Sequence, residues 1–291
     1  MSRGPEPGRR ARPIHIALLL APALLAIIAL FGGGLADALL QSFGWLPAAG
    51  LRELSFAAYA RVLGDADFLY SLLLTGYIAG TSTIIATLLA IALALRLRKG
   101  ARRLLSILQL PLVVPHLLAA VGIGLLLAQS GLLARLAAAF GLIAEPREFP
   151  PLVHDPYAVG IILTYIWKEV PFITLIALAL LERTAQDREQ AARTLGATRW
   201  QSVRHVTLPA IMPGILAAAF LVFAFAFGAF EVPLLLGETW PQTLPVLAWN
   251  EYRSIDLSDR PAAMAITVLI ALVTGLVAAL LLRVRIGDIP H

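Results

Sequence analysis

Long apolar stretches alternate with short polar connections along most of the chain. About 20 apolar residues in a helix are needed to cross roughly 30 Å of hydrocarbon. Six stretches meet this requirement, and each is predicted to be helical because lipid offers no partner for a bare backbone amide. Their predicted limits are Ile14–Leu40, Leu69–Leu95, Leu104–Ala128, Tyr157–Leu181, Pro209–Leu236 and Arg260–Leu282. The pattern predicts an all-α membrane protein with six transmembrane helices.

The composition excludes the soluble classes of protein. Of 291 residues, 59% are hydrophobic and 14% charged, against about 45–50% and about 25% in soluble domains. A soluble protein of this size could not hide so much apolar surface from water. A soluble enzyme and a nucleic-acid-binding domain are therefore excluded, and the expected surroundings are a lipid bilayer without nucleic acid. The chain has no cysteine, and its five histidines fall at no metal-ligand spacing, so no metal site is predicted.

The basic residues predict the orientation in the membrane. With the N-terminus inside, the outer connections and span ends carry few of the 23 basic residues. These are Arg52, Arg61, Arg135, Arg147, Arg253 and Arg260, while Lys168 lies inside a span and the remaining 16 lie on the inner side. Basic residues concentrate on the cytoplasmic side of membrane proteins, so both termini are predicted to be cytoplasmic. Residues 1–13 are predicted to be a disordered cytoplasmic tail, and residues 14–291 form the membrane domain.

The connection between the fourth and fifth spans, about residues 182–208, carries the most informative motif and is called the coupling loop below. Gln190, Ala191 and Ala192 are followed by Gly196, which is a natural helix stop because glycine adopts left-handed backbone without strain. Pro209 then fits the first turn of the fifth span. The loop is predicted to be a helix, a glycine turn and a second helix at the membrane surface. A simple amphipathic interfacial loop is the structural alternative.

This spacing resembles the EAA loop of binding-protein-dependent ABC importer permeases, with the pattern EAA, three residues, Gly, nine residues, I-x-L-P. All the spacings match, but Gln190 replaces the glutamate and Val206 replaces the isoleucine. Glu189, one residue earlier, could supply the missing charge. The resemblance implies the type I (methionine-importer-like) permease fold, with a peripheral first span and a loop that docks on an ATP-binding subunit. The residues implicated in this coupling are Glu189, Gln190, Ala191, Ala192, Gly196, Leu208 and Pro209.

The resemblance also implies the partners and the location of the chain. The sequence contains no GxxxxGK[ST] phosphate-binding loop, so the chain is expected to be no enzyme and to bind no cofactor itself. ATP and Mg are expected on a dimer of partner ATPase subunits. A second permease subunit, identical or similar, and an extracytoplasmic solute-binding protein complete the expected importer. The expected location is the bacterial inner membrane, with multiple passes.

Charged residues inside the spans are the second candidate feature. Lys168 and Glu169 lie in the fourth span and Glu231 in the fifth. Because a central charge costs about 2.5–3.5 kcal/mol on insertion scales, such residues usually face a bundle interior or a cavity. They are predicted either to line the translocation path or to form structural pairs within the bundle. His116, also in a span, is predicted to be a helix-packing residue rather than a ligand.

The solute and an alternative function follow from the same residues. Residues 227–246 resemble permeases of the polyamine, thiamine, iron and sulfate group, and the acidic Glu169 and Glu231 suit a polyamine-like cation. The alternative is an ion-coupled secondary transporter, in which one of these two carboxylates binds the coupling ion. A membrane enzyme or scaffold is a third interpretation, but the sequence offers no catalytic cluster for it.

Overall fold

The computed structural model describes residues 13–98, 100, 102–182 and 186–287, and within these ranges the regular secondary structure is helical. Nearly all of the predicted N-terminal tail lies outside the described residues, and Pro13 begins the first helix. The helices before the fourth span are α1 Pro13–Ile27, α2 Gly33–Ser42, α3 Ala57–Gly64, α4 Ala66–Leu97, α5 Arg102–Leu108, α6 Leu110–Val113, α7 His116–Leu127 and α8 Leu132–Ala139. The later ones are α9 Val159–Leu180, α10 Gln186–Thr194, α11 Arg199–Ser202, α12 Leu208–Gly228, α13 Glu231–Leu236, α14 Leu244–Tyr252 and α15 Arg260–Gly287.

Six stretches of the described residues are long and apolar enough to cross a membrane, which confirms the predicted number of spans. They are Leu19–Ser42, Ala66–Leu97, His116–Ala139, Val159–Leu180, Arg199–Gly228 and Leu257–Leu281. Burial differs sharply among them, since 67% of the fourth span is buried but 0% of the first. The fourth span is therefore central, and the first span is peripheral, as the family resemblance implies.

The core of the bundle forms where α4, α9 and α12 pack together. Ala86, Ala90 and Ala94 of α4 recur every four residues and are fully buried. Small side chains in one stripe allow neighbouring membrane helices to approach closely. Ile173 and Ala177 of α9 pack in the same layers. The bundle is therefore held by close helix contacts around the fourth span.

The third span differs from the prediction of one helix over Leu104–Ala128. The chain forms α5, α6 and α7 in succession, and the helical path breaks at Val114 and Pro115, where ψ is 125° and 146°. Proline has no N–H to donate, and it disfavours helical backbone in the residue before it. The apolar crossing stretch consequently begins at His116 and continues past a turn into α8.

The fifth span also differs from the predicted single helix over Pro209–Leu236. Helix α12 ends at Gly228, Ala229 is extended with ψ 138°, and α13 starts at Glu231. A continuous helix would leave the Ala229 carbonyl without a donor, because residue 233 is proline. The break instead places Pro233 in the first turn of α13, where a missing N–H costs little.

Candidate functional site

The coupling loop has the helix, glycine turn and helix that its sequence predicts. Helix α10 runs to Thr194, Gly196 has a positive φ of 91°, and α11 begins at Arg199. Thr198 caps α11, because its hydroxyl accepts from the Gln201 N–H at 3.3 Å while the Gln201 side-chain oxygen accepts from the Thr198 N–H at 2.9 Å. This reciprocal capping fixes the start of the second helix.

The coupling loop presents apolar side chains to its surroundings. Leu195 is 89% exposed and Trp200 is 68% exposed, although both lie in a polar loop. The motif residues Gln190, Ala191, Gly196 and Pro209 are also exposed, whereas Ala192 and Leu208 are half-buried. Clustered exposed apolar groups of this kind mark a surface that another protein or a membrane covers.

Glu189 does not share this outward position. Its carboxylate meets the Arg98 guanidinium through two contacts, Nη1 to Oε2 at 2.5 Å and Nη2 to Oε1 at 3.3 Å. The Glu189 side chain is only 15% exposed. Glu189 is thus engaged within the chain, so it is poorly placed to supply the charge that Gln190 lacks on the outward face.

Lys168 lies at the break in the third span. Its ammonium donates to the carbonyl oxygen of Pro111 at 2.6 Å and of Val114 at 2.5 Å, and the residue is 4% exposed. In an unbroken helix the Pro111 carbonyl would accept from residue 115, but Pro115 has no N–H. Lys168 therefore replaces the donor that this proline removes. This contact is structural in character, in line with the predicted alternative of pairing within the bundle.

Glu169 contacts the other side of the same break. Its Oε1 lies 3.1 Å from Nε2 of His116, the first residue of α7. The His116 ring packs against Phe225 of α12 with centroids 4.5 Å apart. Adjacent residues of α9 thus hold both segments of the third span, and His116 has both a packing role and a polar partner.

Glu231 is the exposed carboxylate among the three predicted path residues. It lies in the first turn of α13, just after the break in the fifth span. Both Glu231 and Glu169 are close enough to Tyr165 to interact with it electrostatically. Tyr165 is fully buried, and its hydroxyl has no hydrogen-bond partner among the described residues.

Three residues that the structure brings into these sites, Tyr165, Pro115 and Arg98, are not among those predicted from the sequence. Tyr165 precedes Glu169 by four residues, so helical spacing places both on one face of α9. Pro115 follows Pro111 by four residues, so the Pro111 carbonyl has no helical N–H donor. This spacing indicates that another donor, here Lys168, is needed at that carbonyl. Arg98 carries no comparable local signal, because its partner Glu189 lies 91 residues away in the chain.

These features together define a membrane-embedded helical subunit with an exposed loop suited to a partner protein. Residues 82–285 match the family described as "Binding-protein-dependent transport system inner membrane component", and the chain belongs to this family. It is therefore an ABC importer permease, a multi-pass protein of the inner membrane. Permease subunits of this kind are not enzymes, and ATP hydrolysis belongs to a separate subunit. This membership disfavours the ion-coupled secondary transporter.

Several known proteins are similar to this chain. A probable molybdenum ABC transporter permease of Haloferax volcanii is 34% identical over 73% of each chain. A sulfate transport system permease of Synechocystis is 29% identical over 79% of this chain and 82% of that one. A crystal structure of a bacterial ABC transporter that imports the acidic polysaccharide alginate shares the fold, with a TM-score of 0.77, 18% identity and coverage of 94% and 96%.

A crystal structure of a bacterial alginate ABC transporter in complex with an alginate pentasaccharide-bound periplasmic protein also matches, with a TM-score of 0.73 and 21% identity over 96% of each chain. None of these relatives supports the expected polyamine-like solute. The structure agrees, because one of the two carboxylates on which that expectation rested, Glu169, is engaged by His116.

Proposed function

We propose that this permease imports a small anionic or sugar solute by alternating access, driven by ATPase subunits that dock on the coupling loop. The exposed Leu195 and Trp200, on a loop with the EAA-type spacing, carry this proposal. Gln190 lies on the same exposed loop and makes the ATPase contact as a neutral group. ATP and Mg bind on the partner subunits, and this chain holds no cofactor.

The proposed orientation places both termini and the coupling loop in the cytoplasm. The concentration of basic residues on that side supports it. The loop between the fourth and fifth spans then faces the compartment that contains ATP. The connections that include α3 and α14 face outward, toward the solute.

One copy of this chain forms half of the proposed importer. A second permease subunit, identical or similar, completes the path, and an extracytoplasmic binding protein delivers the solute to the outward connections. The solved transporter with its solute-loaded periplasmic protein supports this assembly, since that transporter shares the fold.

We place a small oxyanion first among the solutes, because relatives of this chain are named for molybdenum and sulfate transport. A sugar is the second candidate. Phe230, Trp249 and Tyr252 form a row of rings with centroids 5.3 and 6.4 Å apart, next to the exposed Glu231. Aromatic faces beside a carboxylate acceptor suit the apolar faces and hydroxyl groups of a sugar.

Glu231 is the proposed path residue with direct access to solute, because it is exposed at a helix break. Lys168 and Glu169 act on the path indirectly, by holding the broken third span against α9. Tyr165 supplies an unused hydroxyl that interacts electrostatically with both carboxylates.

The first test is purification of this chain from its native membrane in a mild detergent, followed by mass spectrometry. Recovery of an ATP-binding subunit and a solute-binding protein is the expected result. Calorimetric titration of that binding protein with sulfate, molybdate and maltose then separates the oxyanion from the sugar. A chain recovered without either partner, under crosslinking that preserves complexes, overturns the importer assembly. Uptake that stops on ATP depletion but survives an ionophore excludes ion coupling.

A further inference from the structure

An ion pair joins the coupling loop to the end of the second span. Arg98 directly follows α4 as its C-cap residue, and its guanidinium contacts both carboxylate oxygens of Glu189 in α10. The two side chains are only 23% and 15% exposed. Exposed ion pairs contribute little, but a two-point contact between guanidinium and carboxylate at low exposure fixes a defined geometry. The position of α10 is therefore tied to α4.

Helix α4 is suited to carry a displacement across the membrane. It is a continuous helix of 32 residues without proline, Ala66–Leu97. At 1.5 Å per residue its length is about 48 Å, more than the hydrocarbon thickness. The stripe of buried alanines holds its second half against the central α9, and Ile78 and Ala79 pack in one cluster with Ile161 of α9 further toward the start of α4. By contrast, the third and fifth spans each contain a break.

The opposite end of α4 also makes specific polar contacts. Asp67 accepts a hydrogen bond from the Trp240 indole N–H at 2.9 Å, and the Tyr70 ring meets the Trp240 ring at 5.6 Å. One further turn along, the Thr75 hydroxyl accepts from the Leu244 N–H at 2.8 Å in a buried site. Trp240 belongs to the connection that leads into α14, and Leu244 is the first residue of that helix. This segment is outward in the proposed orientation.

We propose that Arg98 is a positioning residue that ties the coupling loop to α4, so that a movement of the loop reaches the outward segment from Trp240 to Leu244. This inference rests on the proposed function of the coupling loop as the ATPase contact. Closure of the ATPase pair moves α10, the ion pair carries α4 with it, and the contacts of Asp67 and Thr75 move the outward segment. The ion pair thus acts in transmission rather than in ATPase binding.

The test exploits the absence of cysteine from the chain. Thr239→Cys introduces one thiol at an exposed position beside Trp240. The whole complex, reconstituted in liposomes, is labelled from outside with a maleimide, with and without ATP trapped by vanadate. We expect the labelling rate to change on trapping, and this change to shrink by roughly 2- to 30-fold in Arg98→Ala, the range for mutations along coupling networks.

Two further variants separate transmission from folding. Arg98→Glu combined with Glu189→Arg restores the opposite charges, and we expect it to recover most of the response. Arg96→Ala removes an exposed basic residue of α4 that lies two positions before Arg98 and outside the coupling loop, and we expect a response like that of the protein with the unmodified pair. Rescue by the exchanged pair is a result that loss of a merely structural arginine does not give.

The outcomes distinguish this inference from the proposed function. An undiminished labelling response in Arg98→Ala overturns the transmission role while leaving the importer intact. Loss of the ATP-binding subunit from Arg98→Ala alone also overturns it, because the ion pair then serves docking. Failure of every version, including the parent with Thr239→Cys, to retain an ATP-binding subunit instead overturns the proposed function.

Discussion

The Lys168 ammonium lies 2.6 Å from the carbonyl oxygen of Pro111. This carbonyl has lost its helical donor to Pro115, and the lysine supplies a new one from the neighbouring span. A charge in the middle of a membrane protein is thereby satisfied by backbone rather than by an opposite charge. The contact explains how a broken helix and a buried lysine coexist.

Replacing Lys168 with methionine is expected to destabilise the protein by roughly 1–3 kcal/mol, because buried acceptors are left without a donor. Unfolding in mixed detergent micelles measures the free energy. Leu163→Ala is the control, since Leu163 is in the same helix but 40% exposed. A Lys168→Met protein as stable as the parent contradicts the assigned contact.

Changing Pro115 to alanine is expected to reduce the loss of stability that Lys168→Met causes. Alanine provides an N–H that can donate to the Pro111 carbonyl, so the lysine is no longer its required donor. The four proteins of a double-mutant cycle measure this coupling. Additive losses of stability in the double variant indicate that the two residues act independently.

The prolines show how far the sequence alone predicts the fold. The six spans follow from apolar length, and the helix–glycine–helix loop follows from local propensity. However, Pro171 and Pro213 lie inside continuous helices, whereas Pro115 and Pro233 coincide with breaks. Local sequence gives each proline the same tendency to interrupt a helix, so tertiary contacts decide which helices break.

The same limit applies to the candidate sites. Spacing identifies the coupling loop, because its motif residues are close in the chain. The Arg98–Glu189 and Glu169–His116 pairs join residues 91 and 53 positions apart, and only the packed bundle brings them together. Charge inside a span marks Lys168 and Glu169 as unusual, but it does not show that their partners lie at the broken third span.

Neutralising Glu231 is expected to change solute uptake several-fold while leaving stability nearly unaltered, because the residue is exposed and acts on the path. Glu169→Gln is the comparison variant. It is expected to lower the stability, because it weakens the contact between residue 169 and His116. Uptake of the solute defined by the binding protein, with protein level measured by immunoblot, checks both. Unchanged uptake in Glu231→Gln at a normal protein level rules out the path role.

Replacing Gly196 with valine is expected to uncouple ATP hydrolysis from uptake. The residue has φ of 91°, and a side chain in left-handed backbone costs about 1–2 kcal/mol. A Cβ there meets nothing within 4 Å, so strain rather than a clash displaces α11. Gly275→Ala is the control, because Gly275 also has open space around it but lies in α15 without a positive φ. Full coupled uptake in Gly196→Val counts against docking through this loop.

Changing Leu195 to serine is expected to weaken retention of the ATP-binding subunit without loss of stability. The side chain is 89% exposed, so its removal costs the isolated chain little, and surface substitutions usually stay within about 0.5 kcal/mol. At a protein interface, however, a buried leucine contributes about 1.5–3 kcal/mol, which corresponds to at least a tenfold loss of affinity. Quantitative pulldown of the ATP-binding subunit at several salt concentrations measures this difference.

Leu54→Ser provides the matched control, because Leu54 is 66% exposed in the connection between α2 and α3. That connection is on the opposite side of the membrane in the proposed orientation. If both variants retain the ATP-binding subunit equally, Leu195 does not face it. If only Leu195→Ser loses it, the apolar surface of the coupling loop is the docking site, and the loss assigns that side of the membrane to the cytoplasm.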